Sequence, residues 1–108
     1  MNFKIEITSY FKKQAKHLLK KYPSLRGELE ELINGLESEP VQGTPIGNHC
    51  YKIRIAIASK NKGKSGGARV IINVKILAEV VYILSIYDKA EQEDISDNDL
   101  KELLKYIL

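Results

Sequence analysis

The chain has 108 residues, 17 of them Lys or Arg and 14 Asp or Glu, for a net charge of +3, with one cysteine and two histidines. That length suits one domain, residues 1–108, around a single core, and no apolar run approaches the roughly 18 residues that span a bilayer. Cys50 cannot form an internal disulfide, Cys50 with His17 and His49 makes no zinc set, and the N-terminus lacks a signal-peptide pattern, so a cytoplasmic protein with no metal or other cofactor and no membrane partner is expected.

Phe3, Ile5 and Ile7 alternate with Lys4, Glu6 and Thr8, which predicts a half-buried first strand. Thr8 or Ser9 can cap a helix over residues 10–22, with Phe11, Ala15, Leu18 and Leu19 on one face and Lys12, Lys13, Lys16, Lys20 and Lys21 over the rest. Pro23 ends it, since the residue before a proline is pushed out of the α region. Leu25, Leu29, Leu32, Ile33 and Leu36 predict a second helix over residues 23–37, so that the two form a helical hairpin. Residues 38–49 hold two prolines and two glycines and read as a loop. His49 and Cys50 follow it as neighbours whose side chains point apart on a strand, which favours a structural role over a ligand pair or a nucleophile site.

Residues 51–69 carry six basic residues and no acidic one. If residues 51–59 are extended, Lys52 and Arg54 project from one face while Ile53, Ile55 and Ile57 share the other. Residues 60–67 then form a mobile basic loop with Lys60, Lys62 and Lys64, and Arg69 opens a strand continuing through residues 70–77. Such a hairpin can hold phosphates by charge alone, although exposed lysine on strand edges is also a common guard against edge pairing. Gly63-Lys64-Ser65 resembles the end of a nucleotide-binding P-loop, but Ala58 stands where the first glycine is needed and a strand follows instead of a helix, which excludes nucleoside triphosphate binding.

Residues 79–87 are almost continuously apolar, as in a central strand covered on both faces. Ser96 as N-cap, Asp99 three residues on, and Ile95 facing Leu100 mark a last helix with Leu100, Leu103, Leu104 and Ile107 as its apolar stripe. Residues 1–26 and 40–78 are basic, residues 27–39 and 79–108 acidic, so a polarised surface follows if the basic blocks fold together. The expected fold is α+β: a small twisted, mostly antiparallel sheet with an N-terminal helical hairpin and a C-terminal helix, in the order β-α-α-β-β-β-α.

With these residues in view the whole chain resembles the RelE/ParE superfamily of toxins from bacterial type II toxin–antitoxin systems. The KKYPSL turn, the P..G..IGN..YKIRI passage, the GKSGGARVI hairpin and the IYDK strand end carry the resemblance. For a RelE-like member it implies a toxin that cleaves messenger RNA in the ribosomal decoding site, with an antitoxin, the ribosome and mRNA as partners. By motif, Lys52, Arg54, Arg69 and Lys89 fall on the family's basic site positions. Ile95 stands where the family has a tyrosine after its last basic residue, which leaves Tyr87 as the nearest substitute.

The implied chemistry needs no metal: a base for the 2′-hydroxyl, cations on the phosphorane, and a proton donor for the 5′-oxygen. Lys52 among other cations suits the base, Arg54 and Arg69 the charge stabilisation, and Lys89 or Tyr87 the donor. Lys60, Lys62 and Lys64 would grip ribosomal RNA. Two readings compete with this one: a ParE-like inhibitor of DNA gyrase acting by protein contact, and a non-catalytic RNA-binding module.

Overall fold

The computed structural model describes residues 2–60 and 63–107. The elements are β1 (Lys4–Ile7), α1 (Ser9–Lys21), α2 (Leu25–Ser38), β2 (Thr44–Gly47), β3 (Cys50–Ile55), β4 (Ala68–Lys75), β5 (Val80–Asp88) and α3 (Asp97–Leu104). They build one sheet in the order β1-β5-β4-β3-β2, in which β1 runs parallel to β5 and the other neighbours are antiparallel. This is the α+β arrangement expected from the sequence, with one strand more.

The local signals act as anticipated at both capped helices. Thr8 Oγ1 accepts the Phe11 N–H at 3.2 Å, and Ser96 Oγ accepts the Asp99 N–H at 3.1 Å. The second helix begins at Leu25, two residues past Pro23. The added strand β2 lies inside the stretch expected to be loop, where Pro45 is tolerated because β2 is an edge. A two-residue turn with positive φ at Asn48 and His49 joins β2 to β3. The strands around the basic segment are shorter than expected: β3 stops at Ile55, residues 58–60 form a 3-10 turn, and β4 stops at Lys75.

Each face of the sheet buries its own cluster. Phe11, Ala15 and Leu18 of α1 and Leu25, Leu29, Leu32 and Leu36 of α2 pack on Ile53, Ile55, Ile57, Val70, Ile72, Ile83 and Ile86. On the opposite face Leu100 and Leu103 of α3 pack on Cys50, Ile71, Leu84 and Tyr87. The β4–β5 register shifts once: Ile71 faces Ser85 while Ile72 faces Ile83, so Leu84 is the extra residue. A side-chain period of two would otherwise place Tyr87 with Ile83 toward the helical hairpin; the bulge turns it to the α3 face.

Gly43 illustrates how tightly the β2 edge is closed. Its φ is +88°, and a Cβ there would lie 2.3 Å from the Lys52 carbonyl oxygen. Gly43→Ala is therefore expected to lower unfolding free energy by about 1–3 kcal/mol in urea titrations. Gly27→Ala, whose added methyl meets nothing within 4 Å in α2, should instead be neutral or stabilising by up to about 1 kcal/mol. Equal effects at the two glycines would refute the steric account.

Candidate nucleic-acid site on the sheet face

Three of the candidate residues form one row across the sheet. Arg54 of β3 lies opposite Arg69 of β4, which lies opposite Tyr87 of β5. Directly opposed residues share a face, and Lys52, two residues before Arg54, is on that face too. Two guanidiniums opposite each other destabilise a sheet by themselves, whereas an anion bridging them makes the pair favourable.

The four side chains sit in very different surroundings. Arg54 is exposed, and among the described residues its guanidinium has no hydrogen-bond or ion-pair partner. It borders a cleft of about 330 Å³ shared with Lys64 and with Glu28 and Glu31 of α2. Arg69 is only 4% exposed. Its Nη1 donates to the carbonyls of Lys64 (3.0 Å) and Ala68 (3.2 Å), and its Nη2 to that of Ser65 (3.2 Å). Three of the five guanidinium N–H groups thus hold the end of the β3–β4 connection.

Lys52 Nζ forms an ion pair with Asp94 Oδ1 at 2.9 Å. The charge against its ammonium is a carboxylate, contrary to the expectation of a lysine among cations. The Lys52 hydrogen bond, with that from the Ile95 N–H, pulls the Asp94 carboxyl below the usual range. Tyr87 is buried, and among the described residues its hydroxyl has no partner. Burial, with the Asp94 charge, raises its pKa, so the phenol keeps its proton at neutral pH. An unpaired buried hydroxyl costs about 1–3 kcal/mol, which a ligand accepting from it would relieve.

The other candidates separate. Lys60, expected to grip RNA, is turned inward: its Nζ is paired with buried Asp88, donates to the Gly66 carbonyl at 3.2 Å and lies over the Tyr22 ring. Lys62 lies outside the described residues. Lys64 is exposed beside Arg54. Lys89 follows β5, its backbone N–H donating to the Gly67 carbonyl at 3.1 Å. The connection expected to be mobile thus has both described ends fastened, at Lys60 and at Arg69. Ile95, where the family tyrosine was expected, packs against the cluster that contains Tyr87.

Two features carried no signal in the sequence. Asp94 reaches Lys52 from 42 residues away. Beyond the end of β1, Gln14 of α1 closes the β5 edge: its Oε1 accepts from the Ile86 N–H and the Ser85 hydroxyl. A cleft of about 510 Å³ opens there, lined by Tyr10, Lys13, Gln14, His17, Tyr87 and Glu91, among others. Cys50 is buried and its thiol is pushed up by burial, while His49 is exposed in the turn, so the adjacent pair makes no activated nucleophile.

A cationic row on a five-stranded sheet, with two helices behind it and one beside it, defines a small α+β fold. The profile of the family described as "RelE toxin of RelE / RelB toxin-antitoxin system" matches residues 3–107, and the chain belongs to this family. Among solved structures it is similar to the isolated E. coli RelE toxin in a P21 crystal form, with 22% identity and a TM-score of 0.54 over 98% of this chain and 99% of that one. It is also similar to a double arginine-to-alanine mutant of E. coli RelE in the free state, with 19% identity and a TM-score of 0.62 over the full length of both. The protein is accordingly the toxin of a toxin–antitoxin system, with an antitoxin as its implied partner. No helix among the described residues is long and apolar enough to cross a membrane.

Proposed function

We propose that this toxin is a metal-independent endoribonuclease that cuts messenger RNA on the ribosome and so blocks translation in the cytoplasm. The observation that carries the reading is the Arg54–Arg69–Tyr87 row, with Lys52 on the same face. Arg54 and the unused donors of Arg69 clamp the scissile phosphate and stabilise the phosphorane. The 2′-oxygen attacks phosphorus, the bond to the 5′-oxygen breaks, and Tyr87 gives that oxygen its proton, with Lys89 as the alternative donor. Lys52 is the candidate base: it must part from Asp94 and lose its ammonium proton to solvent before its amine can take the proton of the 2′-hydroxyl. Lys64 adds a phosphate contact at the rim.

The resting geometry supports a dependence on the ribosome. Lys52 is held by Asp94, Arg69 by backbone carbonyls, and Tyr87 is covered, so the isolated protein does not present an aligned site. An external surface that orients the message and opens these contacts supplies what is missing. The test is cleavage of ribosome-bound message by wild type, Lys52→Ala and Arg54→Ala: losses of at least about 100-fold are expected, and wild-type rates in both variants would overturn the assignment.

Asp94 supplies a separate check. Asp94→Asn should tighten binding of single-stranded RNA several-fold at low salt, because Lys52 becomes available to a phosphate and a repelling carboxylate is lost. The log–log salt slope should steepen by about 0.7. Asp94 is largely exposed and Lys52 partly so, so stability should change by no more than about 1 kcal/mol. Unchanged or weaker RNA binding would place the RNA elsewhere.

A further inference from the structure

Strand β5 loses its outer neighbour at the point where its register shifts. β1 pairs with it only from Val80 to Ile83, and Leu84, the extra residue of the bulge, comes next. Beyond Ile83 it is α1, not a strand, that meets this edge. The Thr8 hydroxyl donates to the carbonyls of Ile83 (3.0 Å) and Leu84 (3.3 Å). Gln14 Oε1 accepts from the Ser85 hydroxyl (2.8 Å) and from the Ile86 N–H (3.1 Å). Polar groups on both sides of the bulge are thus satisfied by the cap and an inner residue of one helix.

Gln14 is matched to the bulged register. In a regular strand Ser85 would share a face with Ile83 and enter the aliphatic core under the helical hairpin. The bulge instead presents its hydroxyl to Gln14, beside the Ile86 N–H. Ser85 is buried, so a slip to the regular register would leave that hydroxyl unpaired among apolar side chains. The amide is itself held from behind: Gln14 Nε2 donates to the Tyr10 hydroxyl at 3.1 Å, and the Tyr10 ring packs on Tyr106 with centroids 5.5 Å apart. Tyr87 directly follows Ile86, so the face it takes depends on the contacts that hold the bulge.

We propose that Gln14 is a positioning residue for the cleavage reaction: by pinning Ser85 and Ile86 it holds the bulge that turns the Tyr87 side chain into the row with Arg69 and Arg54. Gln14 touches no reacting atom and acts only through Tyr87, which rests on the reading of Tyr87 as the proton donor.

The test compares Gln14→Met, which keeps the length and loses the acceptor, with Gln14→Glu, Tyr87→Phe and the double variant Gln14→Met/Tyr87→Phe. Glutamate can still serve all three partners, since the Tyr10 hydroxyl can donate as well as accept. NMR of the full chain with a carbon label at tyrosine Cζ reports the Tyr87 ring without any ribosome, its resonance assigned by its loss in Tyr87→Phe. Cutting of ribosome-bound message gives kcat and KM. Gln14→Met should move the Tyr87 resonance and lower kcat at least about 10-fold with KM within about 2-fold, and Gln14→Glu should restore both. Tyr87→Phe should lower kcat at least about 100-fold, and adding Gln14→Met to it should cost less than about 2-fold more. Circular dichroism checks that each variant is folded; if Gln14→Met is not, Ser85→Ala, which removes one of the two bonds, takes its place, with the same changes expected at smaller size. An unmoved Tyr87 resonance, or losses that multiply in the double variant, would overturn the proposal. Wild-type cutting by Tyr87→Phe, with the resonance still moved by Gln14→Met, would instead overturn the donor role of Tyr87 and leave Gln14 no part in the reaction.

Discussion

Asp88→Asn is expected to lower the unfolding free energy by about 3–5 kcal/mol at neutral pH, a large part of the roughly 5–15 kcal/mol that holds a domain of this size. Asp88 is 2% exposed and serves three donors: the Lys60 ammonium, the Tyr22 hydroxyl at 3.1 Å and the Ala90 N–H at 3.0 Å. Together these fasten the β3–β4 connection to the end of β5 and to the turn between the helices. Removing the carboxylate charge leaves Lys60, itself largely buried, without its counter-ion. Burial alone would raise the Asp88 pKa; the hydrogen bonds from Lys60, Ala90 and Tyr22 outweigh it and bring it below the usual value. A lowered folded pKa gives stability that is complete above the ordinary carboxylate range near pH 4 and is lost as pH falls through the folded value. Urea titrations at pH 7 and pH 3 should therefore show the gap between wild type and Asp88→Asn narrowing in acid. A gap under about 1 kcal/mol, or one independent of pH, would contradict this account.

Arg69→Ala should abolish measurable cleavage, with a loss of at least about 100-fold, and should also destabilise the fold, because the carbonyls of Lys64, Ser65 and Ala68 lose their donor. Arg69→Lys should rescue little, since one ammonium cannot span three carbonyls and a phosphate as a planar fork does. Arg54→Ala separates the two effects. Arg54 is exposed and unpaired among the described residues, so its loss should lower cleavage with stability within about 0.5 kcal/mol of wild type. Rate and unfolding measurements on the three variants check this. If Arg69→Ala lost stability and kept its rate, Arg69 would be a purely structural arginine.

The sequence made the placement of Lys52 and Arg54 on one face legible, because strand alternation with Ile53 and Ile55 decides the face locally, whereas Arg69, on a strand buried on both faces, was reached only through the family motif. The helix caps at Thr8 and Ser96 were equally local. Tyr87 required more: its face depends on the bulge at Leu84, which no alternation of apolar residues in an all-buried strand can reveal. Lys60 was read as a loop cation because nothing nearby neutralises it; its partner Asp88 is 28 residues away. The same holds for Lys52 and Asp94. Strand β2 hid behind Pro45 and Gly47, residues that mark loops and that an edge strand also tolerates.

The most direct test of the central claim is primer extension on a defined message after adding purified protein to programmed ribosomes, with naked message and the Arg54→Ala protein in parallel. The account predicts new 5′ ends in the decoding site that require both the ribosome and Arg54. Intact message throughout, from protein shown to be toxic in cells, would contradict it and move the target to gyrase or another protein.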